Sequence, residues 1–547
     1  TARGALLHEM GQLAEAADAL EAARALDPGG ARAAALLGTV LTALNRLAEA
    51  ETVLRPAVEL APDDVHVGNN LAAVLIRLQR NAEARDILNG LVDRHGAEPT
   101  LLCNLANATL SVGLQDEAHA IARQAIALAP DCVLPWRTLC NTLPYCEDAS
   151  GESLLAVLRS CSDKLPRGDE PCFANSRDPE RRLRIGLLSG SLKTHPVGWL
   201  TIAGFEALDS KGFDIIALAQ ATADDPIARR FRVRAAEWHD ISTMDDAALA
   251  EHARALGIDI LIDLGGYGDA GRMPALARRL APVQIKWVGS QNHSTGVAEM
   301  DWFITDGWET PPELEHLYSE RVLRLPDGYA CYSPPAHAPP VGPLPALTNG
   351  FMTFGCFNNL AKITPLVFAT WAEILRRKQN ARLVLKTYQF SDKPTCARVL
   401  ASFAENGVAR ERIELRGSSP HRVFLDEYNR IDFVLDPFPY SGGLTTCEAL
   451  WMGVPTLTMP GETFASRHST SHMSNVGLAD WVASDRESYI ELALAKASDI
   501  EALAALRAGL RAQVKASPLC DAPRFGRNLG HALRHAWRMW TVGQDKP

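Results

Sequence analysis

No apolar run in the 547-residue sequence is long enough to span a bilayer, and no signal-peptide pattern is present. A helical membrane protein is therefore excluded, and a cytoplasmic chain with no membrane partner is expected. Cysteine is scattered: the 11 residues include no Cys-x-x-Cys pair. Zinc ribbons and disulfide frameworks are left without support, and reduced, buried thiols are expected. There is no Asp-x-Asp pair to hold a nucleotide-bound metal, so neither a metal nor another cofactor is expected. Positive charge is in deficit, with a net charge of -10, which argues against broad nucleic-acid binding. What is present is 47% hydrophobic and 22% charged residues, a composition for several packed domains with little disorder. The opening residues TARGALLHEMGQ read as a helix entered partway, so the native chain is expected to begin earlier, with more repeats.

Ala16, Ala50, Ala84 and Ala118 recur at a constant step of about 34 residues, the tetratricopeptide period. Leu37, Leu71 and Leu105 keep the same phase, as do Gly38, Ala72 and Ala106. Pro28, Pro62 and Pro130 close three units, Gly96 takes the fourth slot, and Trp136 with Leu139 opens a further partial unit. Each unit is expected to be two antiparallel helices, with a small residue where they cross closely. A pair leaves an apolar face that only its neighbour covers, so residues 1–145 are expected to stack as an α-solenoid with a concave groove for an extended polypeptide. Asn70 and Asn104 share one repeat position. Their amides suit peptide backbone in that groove, or equally local backbone within the array.

The pattern weakens over residues 146–182, read as a helical linker. Then LRIGLLSG, FDIIALA, IDILIDLGGY and PVQIKWVG alternate with helical segments. Continuous Val/Ile/Leu runs of this kind predict a parallel sheet covered on both faces. A proline-rich linker at 336–350 separates this first α/β domain (183–335) from a second (351–547), whose strands include FMTFGCF, ARLVLKTY, RIELRG, DFVLD and VPTLTM. The fold class is thus an α-solenoid followed by two doubly wound α/β domains. Ligands of such sheets bind beyond the carboxyl ends of the strands.

The segment DPFPYSGGLTTCEALWMGVPTLTMPGE (Asp436 to Glu462) follows one such strand. Gly442 and Gly443 lack Cβ atoms and admit an anion close to the main chain. Leu444, Thr445 and Thr446 begin a helix whose first amides have no internal partner, and these with the helix dipole suit a phosphate. Glu448, one turn on, can accept from a ribose diol. An ordinary glycine–threonine helix cap is the competing reading. The segment has neither a Walker Gly-Lys-Ser/Thr ending nor a G-x-G-x-x-G fingerprint, which weakens ATPase and dehydrogenase readings. In CFNNLAKITP, Lys362 can neutralise a diphosphate as it gains charge on departure, or can be a solvated surface lysine. In SGSLKTHPVG, His195 can serve as a general base, can orient a sugar hydroxyl, or can simply be exposed.

Together these segments resemble the protein O-GlcNAc transferases and their bacterial relatives, over nearly the whole chain. The resemblance implies a GT-B type fold, UDP-N-acetylglucosamine as donor, and inverting transfer to Ser or Thr hydroxyls of proteins, with the solenoid expected to present the extended polypeptide. It implies that Lys362 contacts the diphosphate, that Leu444, Thr445 and Thr446 supply the phosphate-binding helix start, and that Glu448 meets the ribose. It places Asn359, Ser419, His421, Phe424, Gly442 and Gly443 in the nucleotide-sugar site. WVGSQNHSTG resembles a loop of the sugar pocket, with Gly289 and Pro196 lining it. His195 matches a histidine assigned either to proton transfer or to positioning. Two departures stand out: Phe424 occupies a position where the family often has a histidine stacked on uracil, and Gly443 stands where animal enzymes have a histidine. Protein O-fucosyltransferases, which use GDP-fucose, share the GG-x-TTCEALWMG form and are the alternative reading. A catalytically weak repeat scaffold and a nucleotide-sugar epimerase are the other classes open; the latter gives no reason for a peptide groove.

Overall fold

The computed structural model describes residues 1–27, 29–169, 171–220, 223–268, 271–290 and 293–543. Pro28 of the repeat pattern and residues 291 and 292 of the sugar-pocket motif lie outside these. The chain divides into two compact units. One comprises residues 1–146 with 359–361 and 387–399; the other comprises 147–358, 362–386 and 400 onward.

The first unit is a run of helix pairs: Ala2–Glu9 with Leu13–Leu26, Ala31–Ala43 with Leu47–Leu60, Val65–Arg77 with Asn81–His95, and Pro99–Ser111 with Gln115–Leu128, followed by Val133–Thr142. Ala16, Ala50, Ala84 and Ala118 are fully buried, each in the first turn of the second helix of its pair. Gly38 shows why small residues recur: a Cβ there would lie 2.6 Å from the Leu54 side chain. The turn inside each pair is also periodic. Gly11, Asn45, Gln79 and Gly113, one repeat step apart, all have positive φ, at 73°, 60°, 63° and 78°. That regularity escapes the sequence pattern because asparagine and glutamine do not announce a left-handed turn as glycine does. Asn70 Nδ2 donates to Ala35 O and Thr39 Oγ1, both at 3.0 Å, and Asn104 Nδ2 donates to Asn69 Oδ1 at 2.8 Å. These amides bond one repeat to the preceding one.

The second unit carries two parallel sheets. The first has strands β1 (Leu183–Ser189), β2 (Phe213–Ala219), β3 (Glu237–Asp240), β4 (Ile260–Asp263), β5 (Val283–Lys286), β6 (Trp302–Asp306) and β7 (Arg321–Leu325), in the order β3-β2-β1-β4-β5-β6-β7. The second has β8 (Met352–Cys356), β9 (Ala381–Lys386), β10 (Ile413–Arg416), β11 (Phe433–Leu435) and β12 (Thr456–Leu457), in the order β10-β9-β8-β11-β12. The central strands are buried except at Arg184 of β1, as continuous aliphatic runs require. This is the GT-B type architecture. The order reverses beside β1 and beside β8, so the switch points lie at β1/β4 and β8/β11. His195 follows β1, Lys362 follows β8 and Asp436 follows β11, all at carboxyl edges.

The structure adds strands that the aliphatic pattern does not reveal. β3 reads EWHD, an edge strand only half buried, and β6 and β7 read WFITD and RVLRL. The proline-rich stretch 336–350 is packed down rather than loosely extended. Buried Arg507 donates to Gly342 O at 2.9 Å and Ile431 O at 2.8 Å, Arg511 donates to Pro339 O at 2.8 Å, and Ala346–Asn349 forms a short helix. The last helix, Ala522–Thr541, falls in sequence with the second lobe yet packs on the first. Its Phe525 stacks on Trp287 at 5.9 Å, and a Cβ on Gly526 would lie 2.5 Å from Ala207 O. Among the described residues, no helix is long and apolar enough to cross a membrane.

Candidate nucleotide-sugar site

β11 delivers Asp436, fully buried, to the edge of the second sheet. Its carboxylate accepts from the Gly442 N–H at 2.8 Å and from Thr458 Oγ1 at 2.8 Å, folding the turn PFPYSGG back onto the strand end. Burial pushes its pKa up to about 6, against the pull of the Ser469 and Thr458 hydroxyls and of Lys362. No side chain fits at Gly442, where a Cβ would lie 2.4 Å from Thr446 Oγ1 and 2.9 Å from Asp436 Oδ1. Gly443 caps the helix Leu444–Trp451. The N–H groups of Leu444 and Thr445 have no partner among the described residues, as the first turn of a helix requires.

Lys362 reaches the same turn from β8. Its Nζ donates to Ser441 O at 2.7 Å and sits 4.2 Å above the Tyr440 ring. Burial lowers its pKa to about 8, with Asp436 opposing. The threonine hydroxyls are turned to local work. Thr445 Oγ1 donates to Asn358 Oδ1 at 3.0 Å, and Thr446 Oγ1 pairs with Ser469 Oγ at 2.8 Å. They hold the helix start in place, while its first main-chain amides stay open.

Glu448 is buried, and its Oε1 lies 2.7 Å from His421 Nε2; His421 Nδ1 in turn meets His337 Nε2 at 3.0 Å. Burial raises the Glu448 pKa and His421 opposes that rise. The His421 ring lies 5.9 Å from Trp199 of the first lobe and 6.3 Å, stacked, from Phe424. Phe424 packs against Phe357 and Tyr428. Ser419 is turned to Glu427 at 3.3 Å. Asn359 belongs to the first unit, where its Oδ1 accepts from Gln389 Nε2 at 2.6 Å and the Ala361 N–H at 2.9 Å.

The model of glycosyl transferase family 41 matches residues 160–332 and 345–529, and a tetratricopeptide-repeat model matches residues 7–69. The chain belongs to glycosyl transferase family 41. It is 31% identical to a mutant of Thermobaculum terrenum O-GlcNAc transferase, covering 94% of this chain and 98% of that one, with a TM-score of 0.89. It is 38% identical over 374 residues to a protein of Petunia hybrida named probable UDP-N-acetylglucosamine–peptide N-acetylglucosaminyltransferase SPINDLY, covering 68% of this chain and 40% of that one. The protein of the same name from Arabidopsis thaliana is 38% identical over 378 residues, 68% of this chain and 41% of its own. The chain thus spans about two-fifths of the length of these curated relatives.

In this family 41 chain the first lobe contributes His195 at the N-terminus of the helix Pro196–Ala207. The Val197 N–H donates to His195 Nδ1 at 3.3 Å. The ring is partly open to solvent, and crowding by protein with the nearby Lys193 cation lowers its pKa below the usual histidine value. Pro196 occupies the first helical position, where no N–H is needed. Gly289 has φ 69°, and a Cβ there would lie 1.9 Å from Leu264 O. Asn358, Tyr440, Ser469 and His337 were not singled out in the sequence. Asn358 lies two residues beyond β8 at a switch point and Tyr440 lies within the glycine turn itself, whereas Ser469 and His337 come from segments remote in sequence from that turn.

Proposed function

We propose that this protein transfers N-acetylglucosamine from UDP-GlcNAc to Ser or Thr hydroxyls of polypeptides, with inversion at the anomeric carbon. The observation that carries this reading is the convergence of the Lys362 ammonium and the open amides of Leu444 and Thr445 on one turn. The acceptor oxygen bonds to the anomeric carbon as the bond to the diphosphate oxygen breaks. The lysine and the amides take up the charge that develops on departing UDP. Positive charge is supplied by the chain itself, so the reading needs no metal, and a chelator should leave the rate unchanged. Glu448 receives the ribose hydroxyls, exchanging or sharing its bond to His421, and Phe424 offers a π-face to the base.

His195 fits positioning better than proton removal. A neutral ring that accepts at Nδ1 carries its proton on Nε2, and Nε2–H donates to a sugar oxygen. The proton of the acceptor hydroxyl then passes to water or to the donor's own α-phosphate. The repeat array takes the extended acceptor polypeptide. Among the described residues the cysteines form no disulfide, which favours a reducing compartment such as the cytoplasm.

Calorimetric titration of the full chain with UDP, UDP-GlcNAc and GDP-fucose, followed by intact-mass analysis of acceptor peptides, tests this. UDP-GlcNAc binding with an added N-acetylhexosamine mass is expected. Binding and transfer from GDP-fucose alone would assign the chain to fucosyl transfer, and nucleotide binding without transfer to a scaffold.

A further inference from the structure

β5 ends on Lys286, whose side chain is only 4% exposed. Its ammonium donates to Gly289 O at 2.7 Å and to Val288 O, and lies 3.6 Å from Asp263 Oδ2 at the end of β4. Asp263 also accepts from the Gly265 N–H at 3.0 Å and the Gly266 N–H at 2.9 Å. One buried ion pair therefore ties together the loops that follow two neighbouring strands.

The turn it holds is strained. Val288, Gly289 and Ser290 have φ values of 43°, 69° and 44°. Two of the three are not glycine, and a β-branched residue in this region is costly, about 1–3 kcal/mol. The turn is wedged as well. A Cβ on Gly289 would meet Leu264 O at 1.9 Å and Val197 at 3.4 Å, and one on Gly266 would meet Ser290 Cβ at 2.7 Å. Val197 is the residue whose N–H bonds His195. Burying an ammonium is itself costly, and apolar residues often fill such sites at no loss of stability. Two unfavourable features coincide at the carboxyl edge of the first sheet, beside His195.

We propose that Lys286 is a positioning residue for the donor sugar. Its ammonium draws the carbonyls of Val288 and Gly289 inward and so holds the left-handed turn. The main-chain N–H groups of residues 288–290 have no partner among the described residues, and this geometry keeps them available to the sugar's polar groups. The inference rests on the glycosyltransferase reading and assigns this loop to the sugar half of the donor, not the nucleotide half.

The test is Lys286→Met in the full chain, which keeps length and apolar bulk and removes the cation. UDP should bind within about twofold of wild type, because its contacts lie on the other lobe. UDP-GlcNAc should bind at least about fivefold more weakly, and kcat for transfer should fall about tenfold or more. Equal weakening of both ligands, or wild-type values for both, overturns the proposal. If K286M does not accumulate, K286M/S290G relieves strain at one position, since glycine accepts positive φ. That variant should show the same split between UDP and UDP-GlcNAc, and wild-type donor affinity in it overturns the proposal. A wild-type chain that binds neither nucleotide removes the glycosyltransferase reading and this inference with it. A wild type that binds both while the variants match it removes this inference alone.

Discussion

Replacing Lys362 with methionine removes the cation that reaches the glycine turn from the end of β8. The ammonium donates to Ser441 O at 2.7 Å and rests on Tyr440; on the proposed function, a diphosphate seated at the helix start meets it directly. Donors aimed at developing charge in a sheltered site contribute about 3–4 kcal/mol, a factor of roughly 10²–10³ in kcat/KM. The fold should survive. Asp436 loses its counter-charge, but burial already pushes its pKa up to about 6, and without the lysine it rises further, which eases the loss. Its bonds to Gly442 and Thr458 require only one oxygen each. The pH profile gives a second, independent signature. With a pKa of about 8, Lys362 is charged below that pH and loses its proton above it. Wild-type kcat/KM, which reports the free enzyme, should therefore fall about tenfold per unit above roughly pH 8. The kcat profile should turn down at higher pH, because bound diphosphate favours the charged amine. K362M should lack this limb and run at the low rate throughout. Initial rates of UDP release between about pH 6 and 10 measure all of this. A K362M rate within tenfold of wild type at neutral pH, or a wild-type profile flat through pH 9, would refute the role of the lysine.

Three other perturbations probe the surrounding structure. Gly442→Ala puts a methyl group 2.4 Å from Thr446 Oγ1 and 2.9 Å from Asp436 Oδ1; by displacing the turn it should weaken UDP binding by about 1–3 kcal/mol in titration. Glu448→Gln removes the carboxylate that faces His421 at 2.7 Å and, on the proposed function, the strong acceptor for a ribose diol, so UDP affinity should drop by about 1–2 kcal/mol while the melting temperature hardly moves. Asn70→Ala deletes the bonds to Ala35 O and Thr39 Oγ1. It should cost about 1–2 kcal/mol of stability in thermal unfolding and leave UDP affinity unchanged; a large loss of nucleotide affinity would contradict the local role of this amide.

The repeat array was legible because its constraint is local and recurs. Ala16, Ala50, Ala84 and Ala118 must be small wherever two helices cross, and the same demand repeats at every step. The parallel sheets were legible in part. Strands such as LRIGLLS and FDIIALA are buried on both faces and spell continuous aliphatic runs, whereas the half-exposed edge strand EWHD does not. The glycine turn was legible because only glycine tolerates what surrounds Gly442. The return of the helix Ala522–Thr541 to the first lobe left no local mark, since an amphipathic stripe does not name the surface it will cover.

The sequence by itself determined the helical repeats, the alternating α/β halves, and which strand ends carry Lys362, His195 and the glycine-rich helix start. These follow from periodicity and from residue chemistry that acts over a few neighbouring positions. Only the tertiary structure decided how those groups are charged and paired: Lys362 under the influence of Asp436, His421 against Glu448, Lys286 against the carbonyls of its strained turn. Burial and the proximity of segments distant in the chain set each of these, and neither quantity exists until the chain has folded.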